Sequence, residues 1–202
     1  MFVTFEGIEG SGKSTLLSAV QHALLAAGRE VIVTREPGGT PAGDAVRAIF
    51  LKPELTIDPL TETLLINASR AQLVQDVITP ALNREAVVLC DRYVHSTLAY
   101  QGFGRGLSLD LVRSICDAAT RGVMPDLTIL VDIPYETSLR RIAARADGAD
   151  RLEREGAEFH KRIREGFLEL AGRDPRVVVI DGERSPEEVL DAAMAALSAV
   201  LV

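Results

Sequence analysis

Short apolar runs rich in β-branched residues alternate with longer helical patterns along the chain. The runs cover residues 2–5, 31–34, 87–91, 127–132 and 177–181. A run that is apolar at consecutive positions is typical of a strand buried on both faces, as in a parallel sheet covered by helices. The pattern therefore predicts an α/β fold, a doubly wound five-stranded parallel sheet with helices on both faces. No linker, repeat or low-complexity stretch interrupts the pattern, so we expect one domain over residues 1–202.

One helical pattern between the second and third runs has a well-marked start. Asp58 is a good N-cap residue and Pro59 fits the first helical position, from which the pattern continues to about residue 79. Helical spacing places Ile66 and Arg70 on one face, where we expect them to meet a ligand. A separate apolar stripe of the same helix is predicted to face the core. It consists of Leu64, Ala68, Ala71 and Val74.

The overall composition excludes several classes of protein. The net charge is −7 at pH 7, whereas a general nucleic-acid binder usually carries a basic surplus. No uncharged run approaches the roughly 20 residues of a membrane span, and Glu6 interrupts the apolar N-terminus, unlike in a signal peptide. Cys90 and Cys116 form no CxxC pair, which favours two buried, reduced thiols. We therefore expect a soluble cytoplasmic protein without nucleic-acid or membrane partners.

The stretch GIEGSGKST follows the first predicted strand and leads into a helix predicted over residues 13–27. It fits the pattern G-x-x-x-x-G-K-[ST] in the strand-to-helix context that this phosphate-binding loop requires. Its glycines let backbone N–H groups surround phosphates, and the helix N-terminus adds partial positive charge. Lys13 is expected to contact the β- and γ-phosphates in catalysis, and Ser14 to hold Mg²⁺. The predicted ATP-binding residues are Gly7, Ile8, Glu9, Gly10, Ser11, Gly12, Lys13, Ser14 and Thr15.

Two further motifs at strand ends indicate what receives the phosphate. In VVLCDRY, Asp91 is placed as a Walker B-like carboxylate near Mg²⁺, and Arg92 follows it with a guanidinium fork that matches phosphate oxygens. In TREPGGT, a turn at residues 37–39 places Arg35 at the same edge of the sheet. Two arginines beside a metal site predict a second substrate that itself carries a phosphate. The GTPase motifs N-K-x-D and D-x-x-G and the ABC-type L-S-G-G-Q are all missing from the sequence.

A lid is predicted at about residues 140–155. The segment SLRRIAARADGADRLERE crowds arginines around a glycine between two helical patterns, which is the expected build of a loop that closes over phosphates. Phosphoryl transfer needs positive charge on the transferring group, and the variable positions of the phosphate loop supply no arginine. We therefore expect the lid to supply one. Its arginines are Arg140, Arg141, Arg145, Arg151 and Arg154.

In their order and spacing, GIEGSGKST, TREPGGT, SRAQLV and DRYVHSTLAYQG resemble the motifs of bacterial thymidylate kinases. The likeness continues through PDLTILVD and the arginine-rich segment to the end of the chain. The resemblance implies the P-loop NTPase fold and transfer of the ATP γ-phosphate to dTMP, which gives dTDP. It also implies Mg²⁺ with the ATP, and a homodimer.

The same resemblance assigns roles in the acceptor site. Arg35 and the catalytic Arg92 would hold the acceptor phosphate, Glu9 would lie near the sugar 3′-hydroxyl, and Arg70 would reach the thymine edge. Ile66 stands where thymidylate kinases usually carry a phenylalanine that stacks on the base. The Glu36–Pro37 bond resembles the family's cis peptide. The remaining pocket residues would be Ser96, Thr97, Tyr100 and Gln101, with Tyr100 placed against the sugar 2′ position to disfavour ribose.

The chain is also similar to the subtype of the family that carries its catalytic arginine in the lid. Arg151 lies in DRLE, which resembles the family's lid signature, and is the first candidate. Arg145 is the second. His95 is interpreted as a packing or surface residue and not as a base, because a phosphate monoester has its second pKa near ~6 and is already largely a dianion at neutral pH.

Three alternatives remain open at this point. A deoxynucleoside kinase would have a similar loop and lid, but it would need a carboxylate base for a hydroxyl acceptor and would leave TREPGGT without a phosphate to hold. A kinase for another pyrimidine monophosphate is compatible with the same motifs. A regulatory module that hydrolyses ATP slowly would have no use for an acceptor pocket with two arginines.

Overall fold

The computed structural model describes residues 1–144 and 151–200. Its single described sheet has five parallel strands, as the sequence predicts, and their order is β2-β3-β1-β4-β5. The strands are Phe2–Glu6 (β1), Val31–Arg35 (β2), Val87–Asp91 (β3), Leu127–Asp132 (β4) and Val177–Asp181 (β5).

Helices cover both faces of this sheet. The α-helices are Lys13–Ala26 (α1), Pro41–Phe50 (α2), Pro59–Leu73 (α3), Thr79–Asn83 (α4), Val94–Thr97 (α5), Leu109–Thr120 (α6), Tyr135–Ala143 (α7), Ala157–Ala171 (α8) and Pro186–Ser198 (α9). Two π-helical segments, Val74–Ile78 and Leu98–Gly104, extend α3 and α5. None of the described helices is long and apolar enough to cross a membrane.

The central strands are apolar at consecutive positions because alternate residues enter two separate cores. Along β3, Val87 and Leu89 pack with α1 and α9, whereas Val88 and Cys90 pack on the other side of the sheet with α3, α6 and α8. This alternation is the side-chain period of a strand. Cys90 and Cys116 are both buried and free, as the sequence predicts.

Helix α3 begins as the sequence predicts, but its orientation differs from the prediction. The Asp58 carboxylate accepts hydrogen bonds from the first backbone N–H groups of the helix. The predicted core stripe is wrong for Leu64, which is 51% exposed, and for Ala68, which is also exposed, whereas Val74 is buried in the core as predicted and Ala71 is half-buried. The buried side of α3 is instead largely polar and includes Glu62, Thr63, Asn67 and Arg70. Partners on distant segments satisfy these polar groups, and a pattern of apolar positions does not reveal such partners.

Parallel strands bring the predicted chemistry to one edge of the sheet. In the register, Phe5 of β1 and Arg35 of β2 both lie opposite Asp91 of β3. The phosphate loop follows β1, and Arg92 follows β3. The carboxyl ends of three adjacent strands therefore form the floor of one cleft, which is where open α/β sheets bind their ligands.

Candidate active site

A cleft at this edge brings together all nine residues that the sequence predicts for the acceptor site. It is lined by Glu9, Lys13, Ser14, Arg35, Ile66, Arg70, Asp91, Arg92, Ser96, Thr97, Tyr100 and Gln101, and also by Glu36, Arg47, Phe50 and Leu152. Arg145 belongs to residues 145–150 and lies outside the described residues.

The phosphate loop places a lysine at the cleft without a direct ion pair to a described residue. Gly10 and Gly12 have φ values of 72° and 96°, which direct the backbone around the loop before α1 begins at Lys13. The Lys13 ammonium donates to the Ile8 carbonyl at 3.4 Å and forms no ion pair within the described parts of the chain. Burial and the neighbouring Arg92 guanidinium lower the pKa of Lys13 to about 8. The ammonium is thus available to a phosphate.

Two oxygen groups that could hold a divalent cation face each other beside this lysine. The Ser14 hydroxyl donates to Asp91 Oδ2 at 2.8 Å, while Asp91 Oδ1 is buried and without a hydrogen-bond partner among the described residues. Carboxylate and hydroxyl oxygens are suitable ligands for Mg²⁺, which usually keeps waters and substrate phosphates as its other ligands. Residues 1–144 and 151–200 contain no group of three or more acidic, histidine or cysteine side chains that could hold a metal ion.

Arg92 lies at the centre of the cleft in a left-handed backbone conformation, with φ of 73°. Its Nη1 donates to Ser96 Oγ at 3.0 Å and to the Gly7 carbonyl at 3.1 Å, and its Nη2 donates to Glu9 Oε1 at 3.0 Å. The guanidinium carbon lies 5.0 Å from the Tyr100 ring centroid. These contacts fix the plane of the fork between the phosphate loop and the rest of the cleft.

The Glu9 carboxylate connects the phosphate loop to the acceptor side of the cleft. The Tyr100 hydroxyl donates to Glu9 Oε1 at 2.5 Å. Burial alone would raise the pKa of Glu9, but Arg92, Lys13 and the Tyr100 hydroxyl hold it below its usual value. Glu9 Oε2 is buried without a hydrogen-bond partner in the described structure, so it can accept a ligand hydroxyl.

Arg35 is the most open cation of the cleft. Its side chain is 57% exposed, and its contact with Asp44, at 3.6 Å, is an exposed one that contributes little. The Glu36–Pro37 peptide bond that follows is cis, as the resemblance predicts. A second charged side chain of this wall, Arg47, also lines the cleft and donates to the Pro37 carbonyl at 3.1 Å.

Arg70 is arranged in the opposite way, with every donor used inside the protein. The side chain is fully buried, and its Nε and Nη2 form a bidentate pair with the Glu36 carboxylate. Burial raises the pKa of Glu36 to about 7, an effect that Arg70 opposes. The remaining N–H groups donate to Asn67 Oδ1 at 2.9 Å, to Cys116 Sγ at 3.3 Å and to Thr97 Oγ1 at 2.9 Å. Its five N–H groups therefore all have partners, so Arg70 forms the wall of the cleft beside Thr97 without a donor to spare.

Two neutral side chains next to Arg70 keep unused hydrogen-bonding capacity. Thr97 Oγ1 accepts from Arg70, so its own proton remains available for donation. Gln101 Nε2 donates to Glu62 Oε2 at 3.1 Å, while Gln101 Oε1 is buried and has no partner among the described residues. The two side chains are four residues apart and both line the cleft. They present one donor and one acceptor to whatever fills this end.

Arg151, the first lid candidate, contacts Phe50 and Glu62 and not the phosphate loop. Its Nε donates to the Phe50 carbonyl at 2.9 Å, and its Nη1 pairs with Glu62 Oε1. The guanidinium also lies over the Phe50 ring, 5.0 Å from the centroid. In this conformation the positive charge of Arg151 is neutralised by Glu62.

Several polar residues of the site were missed by sequence reasoning. Glu6 is fully buried and accepts from the Tyr93 backbone N–H at 2.8 Å and from Ser96 Oγ at 2.5 Å, so it supports the segment around Arg92. Glu62 resembles an ordinary acidic residue in the first turn of a helix. His160 is buried, with Nδ1 3.8 Å from Glu9 Oε2. Nothing in the local patterns distinguishes these residues, since their partners are remote in sequence.

A second cleft on the other side of the phosphate loop was also missed. Arg141 of α7 donates to the Gly10 carbonyl at 3.2 Å, the Ser11 carbonyl at 3.3 Å and the Gly182 carbonyl at 2.9 Å, and so joins the loop to the segment after β5. Two features of the sequence could have indicated this cleft: the arginine-rich segment that contains Arg141, and the carboxyl end of the fifth strand, where ligands commonly bind. The lining residues are Gly10, Ser11, Gly12, Thr15, Leu16, Ala19, Arg141, Gly182, Arg184, Pro186 and Val189.

His95 has no part in either cleft. It is buried, and its Nε2 lies 3.7 Å from Asp174 Oδ2. Burial lowers the pKa of His95, so the ring is neutral at neutral pH in spite of the carboxylate. This placement is the packing role interpreted from the sequence.

Comparisons with known proteins agree on one family. A family model described as thymidylate kinase matches residues 5–193. The thymidylate kinase of Deinococcus radiodurans is 53% identical over 193 residues, which cover 95% of this chain and 93% of that protein. The thymidylate kinase of Carboxydothermus hydrogenoformans is 49% identical over 188 residues, which cover 93% and 92%. The crystal structure of thymidylate kinase from Ehrlichia chaffeensis matches with a TM-score of 0.79 and 32% identity, covering 98% of both chains.

Proposed function

We propose an arrangement of substrates for this chain from the premise that it belongs to the thymidylate kinase family and transfers the γ-phosphate of ATP to dTMP, forming ADP and dTDP. The triphosphate of ATP lies in the phosphate loop, with Lys13 on its β- and γ-oxygens. The second cleft, which the loop separates from the first, takes the adenosine part. Arg141, whose guanidinium lies against the loop backbone, forms one wall there.

The acceptor phosphate of dTMP lies between Arg35 and Arg92. The open, weakly paired Arg35 supports this, as does the fork of Arg92, which is held in place by Ser96 and Glu9. A monophosphate dianion needs no base to remove a proton. It needs alignment and charge neutralisation, which two arginines and a lysine supply. The orphaned Glu9 Oε2 is available to the sugar 3′-hydroxyl, and Tyr100 lies beside it.

The end of the cleft formed by Arg70, Thr97 and Gln101, called the base end below, suits the imide edge of thymine. This match is the observation that carries the assignment of the acceptor. Thymine offers the O4 acceptor next to the N3–H donor. The free proton of Thr97 matches O4, and the buried Gln101 Oε1 matches N3–H. Cytosine reverses both groups and would leave them unpaired, which is costly in a buried site. Arg70 acts on the base edge through Thr97, because its own donors have partners.

Ser14 and Asp91 would hold Mg²⁺ with the ATP phosphates, as their facing oxygens and the orphaned Asp91 Oδ1 suggest. The ion would neutralise charge on the β- and γ-phosphate oxygens. Lys13 serves the same phosphates from the other side, and the buried site strengthens its effect.

A lid arginine supplies the remaining charge on the transferring phosphoryl group. The pairing of Arg151 with Glu62 and with the Phe50 carbonyl weighs against that residue, and Arg145 becomes the first candidate. For Arg151 to serve the phosphates, its pair with Glu62 would have to open.

The enzyme acts as a homodimer in this proposal. Leu60, Leu64 and Leu111 are each at least 40% exposed on α3 and α6, two helices that pack against each other, so their outer faces offer an apolar contact surface. A light-scattering measurement should give the mass of a dimer for the wild type and of a monomer for Leu64→Glu. Leu25→Glu, at a similarly exposed leucine on α1, should remain a dimer. The two free, buried thiols support a reducing, cytoplasmic location.

An ADP-release assay with a panel of acceptors tests the proposed chemistry. We expect kcat/KM to be highest for dTMP, lower for dUMP and far lower for dCMP. Thymidine, which lacks the phosphate held by Arg35 and Arg92, should be inert. Turnover of thymidine at a rate similar to that of dTMP would instead identify a deoxynucleoside kinase, and ADP release without any acceptor would identify a hydrolase.

A further inference from the structure

We infer that Glu62 is a positioning residue for base selection: it fixes the Gln101 amide so that Oε1, and not Nε2, faces the acceptor cleft. This inference rests on the proposed function, since it explains how one part of that site keeps its orientation. Glu62 does not line the cleft, and any effect on substrate must pass through another side chain.

The surroundings of Glu62 are all hydrogen-bond donors. The carboxylate is fully buried on α3. Oε1 accepts from Arg105 Nη2 at 3.1 Å and from Arg151 Nη1, and Oε2 accepts from Arg105 Nε at 3.2 Å and from Gln101 Nε2 at 3.1 Å. All four hydrogen bonds of this carboxylate come from N–H donors, so both of its oxygens act as acceptors. The amide nitrogen is therefore the one end of Gln101 that can face it.

The opposite orientation of the amide is excluded by charge and by burial. A flipped Gln101 would set Oε1 against Glu62 Oε2, which replaces a charge-assisted hydrogen bond by the repulsion of two acceptors. Gln101 is itself fully buried, so water cannot compensate for the loss. The unpartnered Oε1 is thus held toward the cleft before any ligand arrives.

The orientation of this amide decides which pyrimidines fit. An acceptor at this position pairs with the N3–H of thymine or uracil, whereas a donor would pair with the bare N3 of cytosine. A carboxylate that never touches the base thereby enforces the imide edge. Arg151 extends this link to the lid segment, because it is bound to Glu62 and directly follows residues 145–150.

A purely structural role for Glu62, as the counterion of Arg105 and Arg151, makes a different prediction. Loss of a counterion would lower activity toward every acceptor by one factor. Loss of the amide orientation would change the ratio between acceptors. The ratio of kcat/KM for dTMP to that for dCMP is therefore the measurement that separates the two roles, and dUMP serves as an internal reference because it shares N3–H with dTMP.

The test is Glu62→Gln, a neutral isostere that can both donate and accept and so permits the amide to turn. We expect the dTMP-to-dCMP ratio to fall about tenfold or more, the size of a lost buried hydrogen bond. The dTMP-to-dUMP ratio and kcat for dTMP should stay near wild type.

In a Gln101→Leu background, Glu62→Gln should lower the dTMP-to-dCMP ratio no further. Asp132→Asn is the control. It removes a carboxylate that lies outside the acceptor cleft and accepts from Arg164 Nε and Nη2 at 2.8 Å, and it should leave the dTMP-to-dCMP ratio unchanged.

The outcomes separate this inference from the proposed function. If the wild type prefers dTMP and Glu62→Gln keeps the full dTMP-to-dCMP ratio, or lowers all acceptors equally, the positioning role is refuted and the proposed function stands. If the wild type shows no preference for dTMP over dCMP, the proposed function itself fails. Should Glu62→Gln not fold, the double variant Glu62→Gln/Arg105→Gln removes one arginine charge together with the carboxylate and allows the same measurement.

Discussion

The two ends of the acceptor cleft differ in how their positively charged side chains are paired and exposed. At the phosphate end, Lys13 has no ion pair in the described structure, and Arg35 is 57% exposed with one weak carboxylate contact. At the base end, Arg70 and Arg151 are 0% and 9% exposed, and each is paired with a buried carboxylate. At the phosphate end Lys13 and Arg35 therefore stay available, while Arg92 is held in place by its pair with Glu9. The base end uses its cations to fix neutral groups.

The nature of the ligand explains this difference. In the proposed arrangement, a phosphate dianion brings its own negative charge, so Lys13 and Arg35 can await it without a strong ion pair, while the pair of Arg92 with Glu9 aligns the third cation. A neutral base brings no charge, and an unpaired cation buried beside it would be strongly destabilising. The base end therefore presents dipoles, such as the Thr97 hydroxyl and the Gln101 amide. The charged groups that hold these dipoles, Arg70 and Glu62, have their own partners inside the protein.

The largest effect is expected from removing the available cation at the phosphate end. Lys13→Ala should reduce kcat by about 10³-fold or more, because a preorganised charge on the transferring group is lost. Thermal unfolding should change little, since Lys13 makes no ion pair with a described residue. Lys161→Ala, on the exposed part of α8, is the matched control and should retain activity. Normal turnover by folded Lys13→Ala would refute the assignment of the phosphate loop.

Substitutions of the lid arginines test whether Arg151 acts at the base end or at the phosphate end of the site. We expect Arg145→Ala to lower kcat by roughly 10³- to 10⁵-fold, the range of arginine fingers. Arg151→Ala should mainly raise KM for dTMP, because it releases Glu62 at the base end. Steady-state kinetics with both substrates varied distinguish the two. A severe loss of kcat in Arg151→Ala with a mild effect of Arg145→Ala would assign Arg151 to the phosphate end.

Arginine-to-glutamine substitutions compare the two ends directly. Arg70→Gln should lower the free energy of unfolding by about 3–5 kcal/mol, because it leaves Glu36 buried and unpaired. Arg35→Gln should change it by about 0–1 kcal/mol, as for an exposed pair, while raising KM for dTMP. Urea unfolding followed by circular dichroism measures both. Equal destabilisation by the two variants would contradict the contrast between the ends.

The lowered pKa of Lys13 predicts a pH dependence of the free enzyme. Burial and Arg92 bring this pKa to about 8, so the charged form is lost as pH rises through that value. kcat/KM for ATP should fall about tenfold per pH unit well above it, since this parameter reports the free enzyme. kcat should be flatter, because bound phosphates stabilise the ammonium. A kcat/KM that stays constant up to pH 10 would show that the Lys13 charge does not limit ATP capture.

The smallest effect is expected where a neutral contact is exchanged for another at the base end. Ile66 is buried and lines the cleft in place of the family's usual phenylalanine. Ile66→Phe should lower KM for dTMP by a few-fold, since base–aromatic stacking is worth about 1–3 kcal/mol and an aliphatic contact recovers part of it. kcat should change little. Ile66→Leu is the control of similar volume. A raised KM in Ile66→Phe would mean that isoleucine already fills the space.

The two ends also differed in how far the sequence alone could predict them. Lys13, Ser14 and Asp91 lie in short motifs next to strands, and local sequence suffices to place them. The strands themselves were predicted to within a residue at their ends. The buried face of α3 was predicted only in part, because it is largely polar and depends on pairs such as Arg70–Glu36 and Glu62–Arg151, whose members lie far apart in the chain. A hydrophobic pattern assigns such residues to the surface. The placement of Arg145 within the lid stays a prediction.

The division of the site by the phosphate loop has a pharmacological consequence. Gly10 is the residue that lines both clefts, so a compound confined to the acceptor cleft need not overlap the proposed adenosine subsite. Such an inhibitor would compete with dTMP and keep its potency at the millimolar ATP concentrations of a living cell. Because the unused hydrogen-bonding groups described at the base end, those of Thr97 and Gln101, are uncharged, such an inhibitor could bind there as a neutral molecule and cross membranes that exclude nucleotides. A leucine-like substituent placed against Ile66 would further favour this enzyme over relatives whose pocket is lined by a flat aromatic ring.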